Sequence, residues 1–135
     1  FVNDRRMRVS GRRNMANSLF ATGIPFLGHG GAAEHTKFGN ELQKIMAVSA
    51  GVRRFGSAAL DLAYVAAGRY DGFWERGLNS WDIAAGILLV REAGGFVSDF
   101  ASRDRALCSG EVVAANPSIH AELLKCLNAT TADHA

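Results

Sequence analysis

Trp81-Asp82-Ile83-Ala84-Ala85-Gly86 runs without interruption into Ile87-Leu88-Leu89-Val90 and stops at Glu92-Ala93-Gly94-Gly95, a pattern that allows little besides a buried helix. Ile83, Ile87 and Val90 recur at helical spacing, and Gly94-Gly95 supplies the left-handed backbone that a helix C-terminus favours. Such a helix is expected to bury most of its surface. At its start stands one acid, Asp82. A carboxylate there lies beside unpaired backbone N–H groups, so an anion can bind and a divalent metal held by the acid can bridge to it. Taken alone, Asp82 is better explained as an N-cap.

Upstream, Gly56-Ser57-Ala58-Ala59-Leu60-Asp61-Leu62-Ala63-Tyr64-Val65-Ala66-Ala67-Gly68 reads as a second helix, with Ser57 as its cap and Gly68 as its terminator. Val52-Arg53-Arg54-Phe55 before it is strand-like. Two helix mouths can face one ligand. In the connecting stretch Asp71-Gly72 signals a turn, and Glu75 follows Phe73 and Trp74 on the approach to Asp82. In isolation Glu75 beside Arg76 reads as a member of a surface ion pair, and Ser57 as a cap alone.

The remainder alternates strands and helices. Met7–Ser10 and Leu19–Thr22 read as strands, Gly23 to Ala33 as a loop, and Glu34 to Ser49 as a helix. Phe96–Asp99 and Val112–Ala115 are short strands, and Asn116-Pro117 opens a last helix that carries Ile119, Leu123, Leu124 and Leu127 on one side. The tail from Asn128 reads as frayed. This alternation implies a layered α/β architecture.

Composition narrows the function classes. With 135 residues, 48% hydrophobic and 21% charged, the chain can bury a core. The net charge is only +2, although Arg5, Arg6, Arg8, Arg12 and Arg13 crowd its beginning. They flank a Gly11 turn and lack interleaved aromatics, so a solvated hairpin edge is expected and no nucleic-acid partner. Cys108 and Cys126 form neither a metal clip nor a disulfide framework, which points to packing residues in a cytoplasmic protein. His29, His35, His120 and His134 are scattered in polar or loop-like contexts and suggest no ligand set. No run reaches the roughly 20 apolar residues that span a bilayer, so no membrane association is expected.

From Gly56 through Gly95 the chain closely resembles the C-terminal half of the inositol monophosphatase family, the Mg²⁺-dependent, lithium-sensitive phosphomonoesterases. The family's second signature is matched by Trp81-Asp82-Ile83-Ala84-Ala85-Gly86 and Glu92-Ala93-Gly94-Gly95, and Gly56-Ser57-Ala58-Ala59 and Trp74-Glu75-Arg76-Gly77 follow in the family's order and spacing. A looser likeness runs through Leu19–Phe26 and ends near Asn116. The resemblance implies the C-terminal half of a layered αβαβα sandwich of the inositol monophosphatase and fructose-1,6-bisphosphatase type, with residues 1–127 in the phosphatase domain and 128–135 as the tail.

The family's first signature, an Asp-Pro-x-Asp-Gly-Thr loop that supplies most metal ligands, does not occur in this sequence. The chain is therefore expected to be part of a longer enzyme and inactive by itself, with its water-activating residues elsewhere. The complete enzyme, as the resemblance implies, is a homodimer that hydrolyses a phosphate monoester, inositol-1-phosphate or a related sugar or cyclitol phosphate, by metal-activated water. Asp82 would be the Mg²⁺ ligand near the leaving oxygen and a substrate contact. Glu75 would accept a hydrogen bond from a substrate hydroxyl, and Ser57 and Ala58 would contact the sugar or cyclitol. Pro25-Phe26 stands where the family's loop often carries a small polar residue, which leaves sugar, nucleotide and histidinol phosphates open as substrates. The alternative is a non-catalytic binding or assembly module.

Overall fold

Side chains of successive strand residues point to opposite faces of a sheet, and here both faces are apolar. Phe20, Trp74, Val113 and Ala115 pack on one side with Ile45, Ile119 and Leu123, while Ala21, Phe73, Val112 and Ala114 pack on the other with Leu62, Val65, Ile83, Ile87 and Val90. A sheet apolar on both faces needs helices on both. The computed structural model describes residues 7–23, 32–54 and 56–128.

Along the chain come β1 (Leu19–Thr22), α1 (Ala32–Val48), β2 (Gly51–Arg53), α2 (Ala58–Ala66), β3 (Gly72–Glu75), α3 (Ser80–Glu92), β4 (Phe96–Ser98), α4 (Ala106–Ser109), β5 (Val112–Ala115) and α5 (Pro117–Asn128), with a 3-10 turn at Met15–Asn17. The strands lie in the order β2-β1-β3-β5-β4. β2, β1 and β3 are parallel, whereas β5 runs antiparallel to both β3 and β4. α1 and α5 share one face and α2 and α3 the other. The α/β fold expected from the sequence is therefore present as three layers.

Helix ends follow the local chemistry. Gly68 and Gly94 take φ of +77° and +91° just beyond α2 and α3, where other residues would be strained. Asn116 caps α5 by accepting from the Ile119 N–H at 2.8 Å, and Ile119, Leu123, Leu124 and Leu127 are all buried.

Four expectations need correction. Met7–Ser10 forms no strand, and no hairpin is built around Gly11 among the described residues. That segment lies against the domain through its own bonds, Val9 N–H to the Ala93 carbonyl and Ser10 and Arg12 to Asp71. The turn-rich reading of the stretch before Asp82 missed β3, a central strand whose Gly72, Phe73 and Trp74 are buried on both faces and so lack alternation. Only one side of α3 is buried, through Ile83, Gly86, Ile87 and Val90, while Trp81 is 77% exposed and Leu88 and Leu89 are exposed. Of the cysteines, Cys126 of α5 packs against the cluster of Phe20, Ile45 and Ile119 as expected, but Cys108 is exposed on α4. Arg5, Arg6, Pro25, Phe26, His29, His134, Phe55 and the tail after Asn128 lie outside the described residues.

Asp71 holds the early segment in place. Its carboxylate is wholly buried, accepts from the Leu19 N–H at 2.7 Å and from the Ser10 hydroxyl, and is approached by Arg12 at 3.4 Å. Asn116 adds donors to the Ser10 hydroxyl at 3.0 Å and to the Arg12 carbonyl at 2.9 Å. Hydrogen bonds to a buried charge contribute about 1.5–3 kcal/mol each, and an orphaned donor costs a comparable amount. Asp71→Ala is therefore expected to lower the unfolding free energy by about 3 kcal/mol, seen as a lower denaturant midpoint at unchanged slope. A loss below about 1 kcal/mol would show that water replaces the carboxylate.

Candidate active site

The C-terminal ends of parallel strands are where an open α/β sheet leaves room for a ligand. β1 and β3 are parallel neighbours, with Thr22 paired to Trp74 and the Thr22 hydroxyl donating to the Trp74 carbonyl at 2.8 Å. Gly23, the residue after β1, and Glu75, the last of β3, therefore stand side by side. A Cβ on Gly23 would come within 2.1 Å of Glu75 Oε1, so the absence of a side chain there makes room for the carboxyl.

α2 packs on both of these strands. Ser57 has extended backbone, φ −137° and ψ 109°, and its hydroxyl accepts from the Leu60 N–H at 3.2 Å. Ser57 is exposed and is the cap that the sequence indicated; Ala58 begins the helix, half-buried. One turn further in, the Asp61 N–H donates to the Ser57 carbonyl at 2.9 Å. The Asp61 side chain is 1% exposed, and neither of its oxygens has a hydrogen-bond partner among the described residues.

Asp61 and Glu75 are the two acids that these elements bury or half-bury. Burial, and secondly the charge of Asp61, push Glu75 up to about 7, while burial pushes Asp61 up to about 6. Both carboxyls are held more easily as neutral acids in the fold than in the unfolded chain. Their contribution to stability is complete below pH ~4, the unfolded value, and is lost as pH rises through about 6 for Asp61 and about 7 for Glu75.

Asp82 occupies a different position from the one capping would require. Asn79 is the N-cap of α3, although its side chain makes no capping bond, and the Asp82 N–H donates to the Asn79 carbonyl at 3.0 Å. Asp82 is the third residue of the helix. Its carboxylate is exposed and bonds to no donor among the described residues. What joins it to the α2 mouth is helix packing: a Cβ on Gly86 would lie 2.7 Å from the Leu62 Cβ. Ser57 and Ala58 thus open a helix that packs on β1 and on β3, the strand that Glu75 ends, and the Gly86–Leu62 contact ties α3, which carries Asp82, to that helix without a direct bond to Asp82.

The ion-pair reading of Glu75 is also overturned. Arg76, the next residue, points to the opposite face of the sheet, where it pairs with the buried Glu41 and lies 3.8 Å from the Phe100 ring centroid. An open cleft of about 650 Å³ on that face is lined by Lys37, Glu41, Lys44, Arg76 and Glu111, none of them a predicted site residue. His120 is buried in α5, 2.9 Å from the Ser98 hydroxyl, and burial lowers its pKa. That is a core position, where a polar or loop-like context was expected.

Sequence reasoning overlooked Asp61 and Gly23. The signal for Asp61 was available, because positions 61, 62, 65 and 66 all fall on the buried side of α2 and place an acid on an apolar face. The requirement for Gly23 comes from a cross-strand neighbour and has no local signature.

The profile of the inositol monophosphatase family matches residues 1–133. The chain belongs to the inositol monophosphatase family. It is 58% identical over 125 residues to an inositol-1-monophosphatase of Mesorhizobium japonicum, covering 93% of this chain and 46% of that protein. It is 49% identical to the Nus factor SuhB of Pseudomonas aeruginosa, covering 91% of this chain and 45% of that one. Among solved structures, the extragenic suppressor protein SuhB of Bartonella henselae superposes with a TM-score of 0.89 at 50% identity, covering 95% of this chain and 48% of the other. The inositol monophosphatase of Anabaena gives a TM-score of 0.82 at 40% identity, with 93% and 50% covered. The chain spans about half the length of the relatives it matches.

Mg²⁺ prefers a few carboxylates together with water and substrate oxygens. An exposed, unbonded carboxylate in the first turn of α3 suits one such ligand. Among the described residues no group of three or more His, Cys, Asp or Glu could hold a metal ion. No helix among those residues is long and apolar enough to cross a membrane.

Proposed function

We propose that the protein hydrolyses a phosphate monoester of a polyhydroxylated alcohol in an Mg²⁺-dependent reaction, and that this chain supplies the substrate-binding side of the site. The observation that carries the reading is the place of Glu75, which ends β3 beside Gly23 on a strand against which α2 packs. The Glu75 carboxyl is half-buried there, and its neighbour Arg76 is engaged on the other face. It is thus available to accept a hydrogen bond from a substrate hydroxyl. The α2 mouth presents backbone N–H groups and the Ser57 hydroxyl to a sugar or cyclitol, and Asp82 offers one carboxylate to the metal. When bound, Mg²⁺ neutralises charge on the phosphate and lowers the pKa of an attacking water. The exposed Leu60, Trp81, Leu88 and Leu89 on α2 and α3 suit burial beneath further layers of the family's sandwich, which supports the chain acting as one half of such an enzyme.

The test is Glu75→Gln in the full-length protein. A contact made equally to substrate and transition state affects KM and spares kcat. At pH 8, where Glu75 is ionised, KM for inositol-1-phosphate is expected to rise about tenfold, the loss of one charge-assisted hydrogen bond, with kcat within about twofold. An aryl phosphate without those hydroxyls should be little affected. Equal losses of kcat on both substrates at unchanged KM would place Glu75 in the bond-breaking step and refute the assignment.

A further inference from the structure

We infer that Gly23 is a specificity-determining residue: because it lacks a side chain, the Glu75 carboxyl can lie across the end of β1, and that position decides how strongly a polyhydroxylated ester is preferred to a simple one. The inference rests on the substrate-binding role proposed for Glu75.

The two residues meet in a space that one methyl group would fill. A Cβ built on Gly23 would collide with Oε1 and Cδ of Glu75 and stand 2.6 Å from Oε2, far inside the roughly 3.5–4.0 Å at which non-bonded heavy atoms settle. All three carboxyl atoms are thus too close for an alanine. Glycine is not needed here for its backbone freedom, because φ of Gly23 lies outside the left-handed region that Gly56, Gly68 and Gly77 occupy. What position 23 requires is room, as where a strand glycine admits the close approach of another group.

Neither strand is free to step aside. β1 and β3 are held in register with Thr22 opposite Trp74, and the Thr22 hydroxyl donates to the Trp74 carbonyl at 2.8 Å. On the other face of the sheet Arg76 anchors the end of β3, paired with the buried Glu41, stacked over the Phe100 ring and 3.9 Å from Glu111. A side chain at position 23 must therefore displace the Glu75 carboxyl, which can turn into another staggered rotamer at little cost. Stability should be spared and position lost.

Alternation along the strands says what the carboxyl would be moved from. Ala21 and Phe73 pack with Leu62 of α2 and Ile83 of α3, and two residues further along each chain Gly23 and Glu75 face the same side. The carboxyl accordingly lies on the face of the sheet that carries α2 and α3, the helices of Ala58 and Asp82. Displaced from Gly23 it keeps its charge but not its aim, and a hydrogen bond weakens steeply once its angle falls toward 120°. Esters without further hydroxyls have no bond to lose.

The test is Gly23→Ala in the full-length protein with carboxyl carbons labelled for NMR. KM for inositol-1-phosphate is expected to rise about tenfold with kcat within about twofold, while KM for an aryl phosphate changes less than about twofold. The thermal midpoint should hold or rise slightly, since alanine restricts the unfolded chain more than glycine does. Adding Glu75→Gln should raise KM for inositol-1-phosphate by less than a further twofold or so, because both substitutions remove one contact. The Glu75 carboxyl resonance should move in Gly23→Ala. Should that variant fold poorly, combining it with Glu75→Ala, which leaves no carboxyl to collide, should recover the midpoint of Glu75→Ala, and failure to recover would overturn the inference. An unmoved resonance, a wild-type KM for inositol-1-phosphate or fully additive losses would overturn it as well, leaving the phosphatase reading intact. A moved resonance together with no turnover of any phosphate monoester by the wild-type protein would support the placement of the carboxyl by Gly23 and refute the phosphatase reading.

Discussion

Asp82→Asn in the full-length protein is expected to leave the fold intact and to reduce phosphatase activity by on the order of a hundredfold or more at low Mg²⁺. The two effects separate because of where Asp82 stands. It is the third residue of α3 and is exposed, while the cap position belongs to Asn79. Removing its charge forfeits only the favourable interaction of an acid with the helix N-terminus, about 0.3–1 kcal/mol. As a metal ligand it contributes far more, since even outer-shell partners of metal ligands are worth about 10–100-fold. Activity should recover partly as Mg²⁺ is raised, because the variant binds the ion more weakly. Thermal unfolding and an Mg²⁺ titration of turnover check both halves. Wild-type turnover at low Mg²⁺ would make Asp82 a residue of the helix dipole and nothing more.

Much of this fold could be read from the sequence because its cues are local. Ser57 and Asn116 announce helix starts through side-chain chemistry, Gly68 and Gly94 announce ends through positive φ, and the 3.6-residue rhythm of α3 and α5 is carried by Ile and Leu. β3 escaped detection for a physical reason. A strand buried on both faces loses the polar–apolar alternation that identifies strands, and the Asp71-Gly72 pair before it imitates a hairpin turn. The arginine-rich beginning misled in a related way. Its apparent strand has a Val9 whose N–H bonds the Ala93 carbonyl and a Ser10 that bonds Asp71, contacts to residues more than sixty positions away. The site divides along the same line. Glu75, Ser57, Ala58 and Asp82 sit in motifs, whereas Asp61 and Gly23 matter through neighbours that only the folded chain supplies.

Gly86 shows how packing and site are joined, and Gly86→Val is expected to damage both. A Cβ at position 86 would meet the Leu62 Cβ and Cδ1 at 2.7 Å. The first of these atoms is fixed to the α2 backbone, so a rotamer change cannot relieve the clash and the helices must separate. Overpacking of this kind costs about 1–3 kcal/mol, against which valine's better helix propensity than glycine returns only a few tenths. The larger consequence is geometric. α2 carries Ser57 and Ala58, α3 carries Asp82, and the Gly86–Leu62 contact is what ties their spacing. Displacing a positioned group by about 1 Å can cost on the order of a hundredfold in rate. Gly86→Val should therefore lower the unfolding midpoint modestly and kcat/KM for inositol-1-phosphate by on the order of a hundredfold, while Leu62→Gly in the same background, which removes the Leu62 Cβ and Cδ1 that the new side chain meets, should restore part of the activity. Measured as a double-mutant cycle in the full-length protein, the two substitutions should be strongly non-additive. Additive losses would show that the spacing of the two helix mouths does not depend on this contact.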